Sequence, residues 1–78
     1  MEVNKMRLTL KTAREIKGYT QEEAAKLIGI STDTLGNYER GRSYPDIPIL
    51  RNIENVYGVS YGQLIFLPLD YDKTVNLV

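Results

Sequence analysis

Seventy-eight residues make one domain at most, and a chain this short buries only about 60–65% of its unfolded surface, which leaves a small margin of stability. Cysteine and histidine are both absent, so disulfides, thiolate or imidazole metal sites and a histidine general base are excluded. Ten Lys/Arg balance ten Asp/Glu, a neutrality that argues mildly against non-specific nucleic-acid binding. The distribution is uneven, however. Residues 1–42 hold eight cations against six acids and residues 43–78 two against four, a small asymmetry whose sign suits a phosphate-facing first half. The apolar runs are too short to span a membrane and the start lacks a signal-peptide core, so a cytoplasmic chain is expected.

Five short helices are predicted in chain order. The first covers residues 10–17: Leu10, Ala13 and Ile16 recur at helical spacing, Thr9 can cap it, and Gly18 supplies the exit. The second covers 21–28 and opens on Thr20-Gln21-Glu22-Glu23, a capping box in which Thr20 and Glu23 satisfy each other's amides. It continues through Ala24, Ala25, Leu27 and Ile28 to Gly29. The third, 32–40, is capped by Ser31, carries Asp33 at its positive end, turns Leu35 and Tyr38 inward and stops at Gly41.

After the Tyr44-Pro45 turn, Asp46 caps a fourth helix over 47–57, where Pro48 is tolerated in the first turn. Ile49, Leu50, Ile53, Val56 and Tyr57 give it a wide apolar stripe, closed by Gly58. A fifth helix over 61–66 is expected behind Ser60 and Gln63, a second capping box, with Leu64 and Ile65 buried. The expected fold class is therefore all-α, a compact five-helix bundle over residues 1–67.

Residues 68–78 form a tail of different character. Leu69, Tyr71, Val75 and Leu77 alternate with Asp70, Asp72, Thr74 and Asn76, interrupted only by Lys73, which is a strand period. A lone strand needs a partner. The tail is expected either to pair with a second subunit or the Met1–Leu8 arm, or to fray.

The most informative stretch runs from Gln21 to Tyr38. A small Ala25 lets two helices approach closely, Gly29 follows four residues later in the turn, and Ile30 and Leu35 lock the second helix onto the first. Residues 10–66 resemble the lambda-repressor-like family, the Cro/repressor or XRE type of helix-turn-helix domain. The likeness is carried by Leu10 to Gly18, Thr20 to Gly29, Ile30-Ser-Thr-Asp-Thr-Leu-Gly-Asn-Tyr-Glu-Arg-Gly41 and Val59-Ser60. That resemblance implies a five-helix bundle that binds operator DNA as a dimer, one recognition helix per half-site.

The resemblance also implies roles for particular side chains. Gln21 would bond a DNA phosphate and brace the recognition helix, the plain alternative being an exposed helix former. Thr32, Asp33 and Asn37 would read bases: Asn37 can pair with adenine in a bidentate manner and Thr32 can touch a thymine methyl. Asp33 could accept from cytosine or merely support the cap.

Gly36, at an outward position, costs about 1 kcal/mol against alanine in a helix, either for close approach of DNA or by simple tolerance. Arg40 and Arg42 would flank the phosphates, with Lys11, then Lys5 or Arg7, as weaker candidates, and the backbone amides near Ser43 and Tyr44 beside them; a solvated surface charge is the plain alternative. Arg14 and Glu39 match a structural ion pair that orients the recognition helix in similar domains.

The expected function is sequence-specific binding of double-stranded DNA by a homodimer on a pseudo-palindromic operator, a transcriptional repressor or regulator of phage type. An antitoxin or protein-interaction module on the same scaffold is the alternative. With no phosphate loop and no clustered carboxylates, an enzyme is not expected, nor is a cofactor, a metal, a small-molecule ligand or a membrane.

Overall fold

The computed structural model describes residues 7–66. A two-residue strand β1 (Leu8–Thr9) leads into helices α1 (Leu10–Lys17), α2 (Gln21–Ile28), α3 (Thr32–Arg40) and α4 (Ile47–Tyr57). A 3₁₀ turn (Tyr61–Gln63) and strand β2 (Leu64–Ile65) follow. The strands pair in parallel, Leu8 opposite Leu64 and Thr9 opposite Ile65.

Each helix begins on a side chain that satisfies one of its orphan amides. The Thr12 amide donates to Thr9 Oγ1 (3.1 Å), the Thr34 amide to Ser31 Oγ (3.0 Å) and the Ile49 amide to Asp46 Oδ1 (3.0 Å). At α2 the capping box is complete: the Glu23 amide donates to Thr20 Oγ1 (3.0 Å) and the Thr20 amide to Glu23 Oε1 (2.9 Å). Gly29, between α2 and α3, sits at φ +95°, a left-handed conformation that a side chain would strain. It lets the chain reverse within a few residues and lay α3 across α2.

The core gathers Leu10 and Ala13 from α1, Ala24, Ala25 and Ile28 from α2, Leu35 and Tyr38 from α3, Ile53 and Tyr57 from α4, and Leu64 from β2. Ala24 and Ala25 are almost wholly buried, so a larger residue there would wedge α2 off α3. The C-terminus of α2 gains a further tie from α4, where Asn52 Nδ2 donates to the Ile28 carbonyl (3.1 Å). No helix among the described residues is long and apolar enough to cross a membrane.

The structure departs from the five-helix expectation at the end of the described chain. Only Tyr61–Gln63 turns helically, and Leu64 and Ile65 are extended. Six residues with Gly62 among them cannot recover the cost of nucleating a helix, whereas extended pairing with Leu8 and Thr9 satisfies backbone groups and still buries Leu64. The Gln63 half of the expected box survives, its Oε1 accepting from the Ser60 amide (3.1 Å), and Glu54 of α4 accepts the Tyr61 amide (2.6 Å).

Ile65 alternates outward on the strand and is 36% exposed instead of buried. Ile16 and Leu27, counted on the apolar faces of their helices, are also exposed, at 65% and 55%. The alternating tail at 68–78 and most of the Met1–Leu8 arm, with Lys5, lie outside the described residues.

Candidate nucleic-acid interface

A polar cleft opens where α1, α2 and α3 meet. It is lined by Lys11 and Arg14 of α1, Gln21 of α2, Gly36, Glu39 and Arg40 of α3, and Arg42 in the following turn. Four cationic groups therefore face one carboxylate, so the cleft is positive although the whole chain is neutral.

The carboxylate is fully engaged. Arg14 Nε donates to Glu39 Oε2 (2.7 Å) and Arg14 Nη2 to Glu39 Oε1 (3.3 Å), while Gln21 Nε2 donates to the same Oε1 (3.0 Å). A further Arg14 nitrogen, Nη1, donates to the Tyr19 carbonyl (3.0 Å). The Arg14 and Glu39 side chains are only 10% and 5% exposed. The Glu39 hydrogen bond lifts the guanidinium above its ordinary value, against the opposing pull of burial. One carboxylate thus ties α1 and α2 to the C-terminal half of α3, and fixes where α3 points.

Tyr57 of α4 stands behind this pair, and nothing in the sequence marked it beyond its place on an apolar stripe. Its hydroxyl is buried with no hydrogen-bond partner among the described residues. Burial, reinforced by the Glu39 charge and opposed by Arg14, pushes it up to about 12. That lies above its ordinary 10.0, so the unfolded chain loses the proton first.

The Tyr57 contribution to stability is therefore intact below pH 10 and is lost as pH rises through about 12. The expected size is about 2–3 kcal/mol. Tyr57→Phe should be neutral or slightly stabilising at pH 7 and should flatten this alkaline decline. Urea midpoints of both proteins between pH 8 and 12 check it, and parallel curves would contradict it.

The candidate base-reading residues lie on α3. Thr32 (partly buried) and Asp33 (exposed) occupy its first turn, and Asn37 (partly buried) lies one turn on. The Ser31 hydroxyl provides the cap, so Asp33 is not the capping acceptor. Asn37 Oδ1 accepts from Arg40 Nη2 (3.0 Å), pairing a residue expected on bases with one expected on phosphate. Lys11, Arg40 and Arg42 are exposed and share the cleft, and Gln21 reaches into it from the N-terminus of α2.

Gly36 is not an open outward position. It is buried, because the Arg40 head and Gln21 lie over it. Ser43 is partly buried beyond the cleft, while the Tyr44 ring turns to the other side and meets Phe66 edge-on, 6.2 Å between centroids. There it lines an apolar groove with Pro45, Ile47, Leu50, Tyr61 and Phe66.

Residues 10–64 match the sequence pattern of the family described as "Helix-turn-helix". The chain belongs to that family, in its XRE-type branch. Among relatives of this helix-turn-helix chain, the HTH-type transcriptional regulator ImmR of Bacillus subtilis is 45% identical over 56 residues, covering 72% of this chain and 44% of ImmR. The SPbeta prophage-derived HTH-type transcriptional regulator YonR of the same organism is 36% identical over 70 residues, covering 86% of this chain and 65% of YonR. The HTH-type transcriptional regulator YazB, also from B. subtilis, is 40% identical over 55 residues, covering 70% of this chain and 80% of YazB. The helix-turn-helix chain thus spans less than half of ImmR and about two thirds of YonR.

Proposed function

We propose that this chain binds double-stranded DNA sequence-specifically and regulates transcription by occluding a promoter, as a homodimer on a pseudo-palindromic operator. The observation that carries the reading is the juxtaposition of the positive cleft with the polar face of α3. The cations can neutralise phosphates while Thr32, Asp33 and Asn37 enter the major groove. Gln21, at the N-terminus of α2, meets a phosphate with the helix amides beside it. Lys11, Arg40 and Arg42 take the flanking phosphates, with the turn at Ser43 and Tyr44 alongside. The names of the relatives support transcriptional regulation, and that of YonR supports a phage setting.

Dimerisation is supported by the apolar groove on the α4 side, where Ile47 and Tyr61 are 62% and 58% exposed. Selection from a random duplex pool at fixed salt tests the whole reading. The expected product is a pseudo-palindrome with half-site centres about 34–36 Å apart, or a multiple of it. A pool that returns no enriched sequence overturns the proposal.

A further inference from the structure

Position 36 of α3 faces the cleft and has no side chain, yet it is not vacant. A Cβ built on Gly36 would lie 3.3 Å from Arg40 Nη1, 3.6 Å from Arg40 Nη2 and 3.7 Å from Gln21 Nε2. The Arg40 guanidinium therefore occupies the volume that a residue 36 side chain would fill. Arg40 stands four residues after Gly36 and three after Asn37, and helical side chains lean toward the N-terminus, so all three share one face. The Asn37 carboxamide accepts from Arg40 Nη2 (3.0 Å) and holds the head there. Glu39, the carboxylate of the same cleft, does not compete for it, being bonded to Arg14 and Gln21.

This fold-back moves the charge about one helical turn, roughly 5.4 Å, from the C-terminal end of α3 toward its middle. An arginine reaching outward from the last turn would meet the phosphates that flank a groove. Lying over Gly36 beside Asn37, it is placed among the side chains that face base edges. The hydrogen-bonding character of the pair is one-sided. Guanidinium has five N–H donors and no acceptor, and with Asn37 Oδ1 engaged, the Asn37 amide nitrogen adds two more donors. Guanine is the base whose major-groove edge offers two acceptors, N7 and O6, and no donor; adenine mixes the two and cytosine offers a donor.

We propose that Arg40, folded over Gly36 and held by Asn37, reads a guanine in the operator half-site, supplying the base contact that position 36 lacks. The inference rests on the DNA-binding reading above and refines it. Arg40 becomes a base reader in place of a phosphate contact, and Asn37 becomes the residue that positions it.

The test uses the full chain and the duplex recovered by selection, with each half-site base pair replaced singly and 7-deazaguanine placed at each guanine. Wild-type protein should lose roughly 5- to 150-fold in affinity when one particular G·C pair is changed. It should also weaken on 7-deazaguanine at that position. In Arg40→Ala that discrimination should collapse to about one-fold while the other positions keep theirs, and in the charge-conserving Arg40→Lys, which loses the planar fork but can still donate to guanine, it should fall only part-way. The inference is overturned if Arg40→Ala weakens binding equally on every duplex, lowering the salt slope by about 0.9 with all discrimination retained, which is the signature of a phosphate contact. It is equally overturned if the discrimination lost belongs to an A·T pair. Failure of the wild-type chain to bind any duplex would instead defeat the DNA-binding reading itself, so the two failures are distinct.

Discussion

Replacing Glu39 by alanine should cost about 3–5 kcal/mol and lower the urea midpoint accordingly. Total stability for 78 residues is about 4–12 kcal/mol, so a loss of this size removes at least about a quarter of the margin. The loss is large because of what remains: the Arg14 guanidinium, 10% exposed, keeps its charge but loses both carboxylate contacts, and Gln21 Nε2 loses its acceptor as well. An exposed ion pair would contribute no more than about 1 kcal/mol. Glu39→Gln keeps one oxygen to accept a hydrogen bond and should cost less than the alanine change. Urea unfolding of the three proteins provides the comparison. A Glu39→Ala loss under about 1 kcal/mol would mean that the pair behaves as a surface one and does not fix α3.

Leu35→Ala should cost about 2–5 kcal/mol with no direct effect on the polar face of α3. Leu35 has no measurable exposure and belongs to the same core cluster as Ala24, Ala25, Ile28 and Ile53, so truncation leaves a cavity beneath α3 that the helices cannot fully close. Ile16→Ala and Leu27→Ala serve as internal controls, because both side chains are more than half exposed and each change should stay within about 0.5 kcal/mol. Equal losses at Leu35 and Leu27 would contradict the packing described above.

These controls also mark how far the fold is legible in the sequence. Helix ends are legible because they are decided locally: Thr9, Thr20, Ser31 and Asp46 each bond an amide three residues ahead, and Gly29 turns the chain by its own backbone freedom. Periodicity was a weaker guide over eight-residue helices. Ile16 and Leu27 fit the spacing of a buried face, but the stripe that neighbours cover is narrower than the pattern suggests.

The end of the described chain departs from its local signal for a different reason. Ser60 and Gln63 form the local signal of a helix start, but the deciding partner of Leu64 is Leu8, 56 positions earlier, which no local pattern contains. In the cleft, Arg14, Glu39 and Gln21 could be singled out through the family pattern. That Arg40 bends back over Gly36 depends on the space an absent side chain leaves, and this emerges only when the helix is built.

The parallel ladder between Leu8–Thr9 and Leu64–Ile65 has a kinetic meaning. Almost the entire domain lies inside the loop that it closes, so this contact carries the largest ordering cost and forms only after the helices have assembled. By the same token it should be first to open. Hydrogen–deuterium exchange at those amides should report partial opening, well below the energy of global unfolding. The α2–α3 corner would ride through such fluctuations intact, so the clasp can come undone without disturbing the helices that carry the cleft.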